Sequence, residues 1–515
     1  MLEAGFRKWI IIITVILSSV IELIDTTIVN VSLPQMMGNL GATLDEIAWV
    51  VTAYVFANVI VVPMAGWLSS VLGRRNYFAG SILLFTAASF FCGHATSLWE
   101  MVFFRLLQGA GGGALLATSQ SILIETFPPE ELGFATGLYG LGVVVGPTIG
   151  PTLGGWITDN YSWPWIFYVN IPIGISATIL SFMFIRDAHE RPDVSRIDWS
   201  GILLLILGIG SLQIVLDRGE RDDWFNANYI VVLSIIAVIG TAAFVWRELT
   251  TDHPVVDLRV LRNRALAAGT LLIFIHGFGL YASVFIFPVF AQHLLGFTAL
   301  QTGLILLPSS LTTAIMMPLV GHLLRKGFPA QVIMVGGFLI FFVFTWMLSQ
   351  STLASGQADF FWPLILRGLG LSMLFVPFTT LALSQLTGKD IHQGTGLTNM
   401  MRQLGGSLGV AVIATFIEHR SWAHRQDLLQ YVTPFDFLLR QRMSMILHGL
   451  MAHGSTFAEA QRQAYAAMEA TVSRQAFLLT YMDAFRTIGV FFLCCMPLLV
   501  LFKGARATLP VITEH

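Results

Sequence analysis

Fourteen stretches of this sequence are long and apolar enough to cross a bilayer, and that leaves few folds open. A hydrocarbon layer about 30 Å thick calls for about 20 mostly apolar residues per helix. The candidate spans, numbered 1 to 14, are 9–33, 46–68, 77–95, 98–122, 133–157, 163–185, 200–216, 229–247, 266–290, 300–323, 330–349, 361–384, 394–417 and 479–502. Backbone polar groups inside lipid have to be satisfied within the segment itself, so single segments of this length are helices. The expected fold is an all-α membrane protein. Only 11% of the 515 residues are charged and 55% are apolar, where a soluble chain carries roughly 25% charged residues; a soluble fold is excluded. The net charge of −2 supplies no basic field, so nucleic acid is not a partner.

Basic residues orient the spans. With Arg7 and Lys8 on the cytoplasmic side, the same side collects Arg74, Arg75, Arg186, Arg191, Arg196, Arg247, Arg259, Arg262, Arg264, Arg325, Lys326, Lys389, Lys503 and Arg506, while the short outer loops hold Arg218 and Arg221. That is sixteen against two, the asymmetry expected of a cytoplasmic amino terminus. An even number of spans returns the carboxyl terminus to the cytoplasm. Span 1 has no small-residue cleavage pattern behind a short core and reads as a retained helix.

The chain also repeats itself. VVPMAGWL at 61–68 parallels MMPLVGHL at 316–323, FFRLLQGAG at 103–111 parallels ILRGLG at 365–370, and TGLYGLGVVVG at 136–146 parallels TGLTNMMRQLG at 395–405. Spans 2, 4 and 5 thus answer to spans 10, 12 and 13, and spans 7 and 8 have no counterpart. The plan is six, two inserted, six: a first bundle over 1–190, an insertion over 191–255 and a second bundle over 256–515, which includes an outer loop at 418–478. Parallel halves of this kind rock about a central cavity to give alternating access. A channel or a membrane enzyme has no need of that symmetry.

Glu22 and Asp25 lie three apart on one face of span 1. A carboxylate in hydrocarbon costs roughly 2.5 to 3.5 kcal/mol on insertion scales, so both are expected at a wet cavity or beside a partner. Arg105, entering from the outer end of span 4, falls at a similar depth and is the candidate counter-charge. Two readings fit: a carboxylate that loads and releases a proton as its surroundings change, or an ion pair that only ties helices together. Asn30 in span 1 and Gln108 in span 4 are further candidates to line a polar cavity.

Span 5 carries Gly142, Gly146, Pro147, Gly150, Pro151, Gly154 and Gly155. Small residues every four positions let helices approach closely, and each proline removes a backbone donor, so a close-packed, bent helix is expected. The turn after span 2, with Gly66, Gly73, Arg74 and Arg75, is short and basic. It either latches one state of a rocking bundle or serves topology alone. In the second half, His276, Arg367, Asn399, Arg402 and Gln403 fall within spans, and they either face a cavity or close hydrogen bonds between helices. Cys92, Cys494 and Cys495 sit in apolar runs without metal-ligand spacing. No nucleophile with its base, metal cluster or phosphate loop stands out, so neither an enzyme nor a bound cofactor is expected. A sensor would want a soluble signalling domain, and the spans leave no length for one.

These motifs resemble the major facilitator superfamily, and within it the fourteen-span drug:proton antiporters, over essentially the whole chain. IDTTIVNVSLP at 24–34 is similar to that subfamily's first-span signature, RLLQGAG to the superfamily's fourth-span motif and GPTIGPTLGG at 146–155 to its antiporter motif. SWPWIFYVNIPIG at 162–174 and LQIVLDRGERDDWF at 212–225 are most similar to inner-membrane Emr-type multidrug pumps. The resemblance implies a major facilitator fold of two six-helix halves plus two inserted helices. It implies proton-driven export of amphipathic or lipophilic small molecules, with Asp25 as the first-span acid, Arg105 linked to proton transfer, and Gly146 and Pro147 in the antiporter element. A nutrient facilitator or symporter would share the helices but is not expected to carry GPTIGPTLGG. The second-span turn departs from the family pattern in having Ser70 where an aspartate is usual. Glu22 is additional to the signature and is expected to widen the substrate range toward cations. Emr-type pumps work with a periplasmic adaptor and an outer-membrane channel, which implies docking on the segment from Glu418 to about Thr480; a cap over the outer cavity is the other reading.

Overall fold

The computed structural model describes residues 2–128, 131–185, 197–386, 389–433 and 435–502. Arg186, Arg191, Arg196, Lys503 and Arg506 lie outside the described residues, as do the side chains of Pro147 and Lys389. Thirteen of the described helical stretches are long and apolar enough to cross a membrane by length and composition. Span 5, the helix Leu132–Asn160, packs among them and takes the fourteenth place.

Polar residues set where the helices begin. Thr298 and Thr456 start spans 10 and 14 with reciprocal caps to Gln301 and Glu459, which satisfy backbone donors that a helix start leaves free. Ser97 caps span 4, and Asp198 caps span 7. Asp198 also takes the Arg247 guanidinium of span 8 at 3.0 Å. Burial works against its charge, but the bonds from Arg247, Ser200 and the Gly201 N–H outweigh that and hold its carboxyl down at about 2.

The helices pair as the internal repeat requires. Span 1 packs on span 5 as span 9 packs on span 13, span 2 on 4 as 10 on 12, and span 3 on 6 as 11 on 14. Two seams join the halves, span 5 along span 10 and span 2 along span 13. The correspondences of 2 with 10 and 5 with 13 exchange these seams with each other, as a two-fold axis along the bundle would. The inserted spans 7 and 8 lie outside the 2·13 seam, back to back through the close approach of Gly208 and Gly240. Span 7 reaches both sides of that seam. Thr52 of span 2 donates to Asp217, and Gln213 donates to Ser407 of span 13 at 2.8 Å.

Span 5 is one continuous helix through its prolines. The outer loop needs adjustment. The segment 418–478 is mostly an extension of helices: span 13 runs Lys389–Leu429 and span 14 runs Phe457–Cys495, with a further helix Phe437–Ala452 between them. At about 1.5 Å per residue, helices of 41 and 39 residues overrun the bilayer. Arg425–Glu469 at 2.8 Å and His424–Asp483 at 2.9 Å zip the two extensions together.

Candidate functional site

Span 1 brings its two carboxylates to the centre of the first half, both buried to within 1% of full exclusion. Arg105 reaches across from span 4 and donates to Asp25 Oδ2 at 2.5 Å, to Gln108 Oε1 at 2.8 Å and to the Val50 carbonyl at 3.1 Å. Gln108 Nε2 and Asn170 Nδ2 both donate to the other Asp25 oxygen, at 2.9 and 3.1 Å, and both also donate to Ser89. Three spans thus meet at one carboxylate, and Ser89 of span 3 joins the two amides behind it. The guanidinium lies over the Tyr54 ring, 4.1 Å from its centroid, a favourable placement for a desolvated cation.

Glu22, one turn nearer the amino terminus, has a thinner shell. Asn58 donates to Oε1 at 2.9 Å and Tyr54 at 3.4 Å, while Oε2 has no protein partner. Gly112 of span 4 leaves the room these groups occupy: a side-chain carbon there would meet Tyr54 Oη, Glu22 Cγ and Asn58 Nδ2. Buried carboxylates with an open lone pair, set among neutral donors, can accept a proton without breaking the fold.

A second polar cluster joins the two halves. Tyr139 of span 5 and Arg402 of span 13 both donate to Asn399 Oδ1, at 3.0 and 2.9 Å, and Asn399 in turn donates to Gln120 of span 4 at 2.5 Å. Arg402 is buried and bonded also to Tyr281 at 3.4 Å. Arg367 is buried against Ser283 at 3.1 Å. His276 is buried, 5.3 Å from the Phe375 ring. Asn30 is exposed and Gln403 half-buried, so neither joins this network.

The glycines of span 5 face span 1. Gly142, Gly146, Gly150 and Gly154, four apart, approach Val20, Leu23, Ile24 with Thr27, and Ile28 in turn. The glycine stripe is therefore packed along the helix that carries Glu22 and Asp25. Gly155 is buried beside them, and Pro151 is half-buried.

At the amino-terminal side of the bundle the halves are closed on each other. Gly66 lies against the His392 backbone, where a side-chain carbon would come within 3.0 Å. The His392 ring bridges Ser121 at 2.6 Å and Glu125 at 2.9 Å, and Glu125 also pairs with Arg74. Glu131 holds Lys8 at 3.1 Å and Arg325 at 3.7 Å. Gly73 takes a φ of 83°, a conformation that suits glycine at a sharp turn. Arg75 begins the helix Arg74–His94 beside Arg74.

Sequence reasoning did not single out Tyr54, Asn58, Ser89, Asn170, Gln120, Tyr139, Tyr281, Glu125 or His392. Some carried a signal. Tyr54 and Asn58 are four apart on one helix face, and Asn170 is a lone amide in an apolar run.

The Major Facilitator Superfamily profile matches residues 15–410. Among curated proteins, the chain is 34% identical over 432 residues to "Multidrug export protein EmrB" of Escherichia coli (strain K12), covering 84% of each chain. It is 33% identical over 485 residues to "Fatty acid resistance protein FarB" of Neisseria gonorrhoeae, covering 94% of this chain and 93% of that one. Among solved structures, the human organic anion transporter MFSD10 (TETRAN) shares the fold at a TM-score of 0.57 and 14% identity, over 94% of this chain and 99% of that one. With paired six-helix bundles, the two exchanged seams and these relatives, the chain belongs to the Major Facilitator Superfamily, on its Emr-type multidrug export branch.

Proposed function

We propose that this protein exports amphipathic small molecules by alternating access, taking up protons in exchange through the span 1 carboxylates. The observation that carries the reading is Asp25, buried and held by Arg105 and Gln108 of span 4 and Asn170 of span 6. A proton on Asp25 cancels its charge and releases the Arg105 guanidinium, so the packing of three helices depends on one protonation. Glu22, one turn away, is the second proton-accepting group. The glycine stripe of span 5 lets span 1 shift without lifting away.

The charge asymmetry supports a cytoplasmic basic side of the bundle, and on this reading the protein works in the inner membrane with both termini inside. The extended ends of spans 13 and 14 then stand in the periplasm. The helix Phe437–Ala452 there exposes Phe437 at 69%, Leu438 at 71% and Met445 at 62%. Such a patch fits a periplasmic adaptor that leads to an outer-membrane channel. The names of the relatives, a multidrug export protein and a fatty acid resistance protein, favour lipophilic substrates, acids among them.

The test is dye and drug transport in inside-out proteoliposomes under an imposed pH gradient, comparing the parent with Asp25→Asn, Glu22→Gln and Arg105→Ala. Accumulation driven by the gradient and lost in Asp25→Asn is expected. Movement indifferent to the gradient and to all three changes would make the protein a facilitator.

A further inference from the structure

The buried charges at the centre of the bundle do not balance. Among the described residues, Glu22, Asp25, Arg105, Arg367 and Arg402 are buried there, two acids against three guanidinium groups. Asp25 and Arg105 cancel in direct contact. The internal repeat places Arg367 where Arg105 stands in the first half, but Arg367 meets the Ser283 hydroxyl in place of a carboxylate, and one of its terminal nitrogens has no hydrogen-bond partner. Arg402 is bonded to Asn399 and Tyr281, both neutral. Neither second-half arginine forms an ion pair among the described residues.

Unpaired cations in an apolar interior are costly, and buried charges are normally matched. With Asp25 paired, Glu22 is the buried acid left over at the centre; it belongs to the opposite half, and one of its oxygens has no partner. When the halves part, Arg402 loses that counter-charge. Its surroundings are aromatic: Tyr139 stacks on Phe375 at 6.4 Å, His276 lies 5.3 Å from the same ring, and Tyr281 touches the guanidinium. A guanidinium at the end of an aromatic wall matches one ligand chemistry, a carboxylate head on an apolar tail.

We propose that Arg402 is the specificity-determining residue of the central site and receives the carboxylate of an amphipathic monocarboxylic acid, with Glu22 as its resident competitor. The proposal rests on the reading of the protein as an exporter whose substrates enter between the halves. It reverses the expectation that Glu22 widens the range toward cations on its own: a cation at Glu22 has to contend with Arg402, whereas an anion at Arg402 replaces a charge of its own sign.

The experiment is equilibrium binding of radiolabelled decanoate to the purified full-length protein by scintillation proximity, with decyltrimethylammonium as the cationic probe of equal chain length. The parent is expected to bind decanoate saturably. Arg402→Gln is expected to weaken decanoate by roughly tenfold or more, the usual consequence of losing a charge-assisted contact, while the cation binds at least as tightly as before. Glu22→Gln is expected to tighten decanoate and weaken the cation. Decanoate binding to Arg402→Gln at the parent's affinity, or no saturable binding to the parent, overturns the proposal. Should Arg402→Gln bind neither probe, Glu22→Gln decides, and decanoate binding there that is no tighter than the parent's also overturns it. Binding needs no gradient, so the two readings fail separately. Decanoate bound through Arg402 with no gradient-driven transport removes only the antiport reading, and gradient-driven export of the cation without decanoate binding removes only this one.

Discussion

Asp25 and Arg105 illustrate how a buried ion pair constrains its neighbours. Both side chains are fully excluded from solvent, so removing one partner strands the other in low dielectric at a cost of about 3 to 5 kcal/mol, whereas removing both together is far milder. Arg105→Gln is therefore expected to lower the melting temperature of the detergent-solubilised protein more than the double change Asp25→Asn with Arg105→Gln. A double variant that melts as low as the single one would mean that the pair is not coupled in the folded chain. Both charges were legible in the sequence, because each interrupts an otherwise apolar run and nothing but a partner or a cavity accounts for it. Asn170, Tyr54 and Asn58 were not. Neutral polar side chains are common in membrane helices and satisfy themselves in many ways, so only coordinates distinguish the Asn170 that touches Asp25 at 3.1 Å from one that caps its own helix.

The same distinction holds for whole helices. The glycine period of span 5 announced close packing, but it did not say against what; the structure answers with span 1, and it grades the contacts. A side-chain carbon at Gly142 would lie 3.3 Å from a Val20 methyl, whereas one at Gly154 would lie 2.7 Å from the Ile28 carbonyl oxygen. Gly142→Ala should therefore be nearly neutral, while Gly154→Ala should cost about 1 to 3 kcal/mol as an overpacked site and slow transport. Thermal melts and initial export rates of the two variants check this, and equal damage at both positions would argue against span 1 sliding on that stripe. Hydropathy was a poorer guide to helix ends. It closed span 13 near 417 and opened span 14 near 479, because Glu418, Arg420 and Arg425 interrupt the apolar window. Helix formation continues through charged residues, and in the folded chain Arg420 and Arg425 bind Asp483 and Glu469 across the paired extensions.

For the molecule as a whole, the sequence repeats already implied two halves, but the contacts that hold them in one state join residues hundreds of positions apart and leave no local pattern. His392 is the clearest instance. In the sequence it is a lone histidine near the start of span 13, and in the structure its ring joins Ser121 and Glu125 while its backbone rests on Gly66. Closure of the amino-terminal side is a contact between halves that has to break in every cycle if substrates are loaded from that side. Ser121 Oγ and Thr395 Oγ1, from opposite halves, are 3.5 Å apart, within the small adjustment needed for a disulfide. With Cys92, Cys494 and Cys495 replaced first, the pair Ser121→Cys and Thr395→Cys is expected to cross-link on mild oxidation. Oxidised protein should then bind ligands presented from the opposite side but transport none, and reduction should restore export. Export at the parent's rate with the cross-link intact would mean that the halves do not separate at His392, and that the route for substrate opens elsewhere along the two seams.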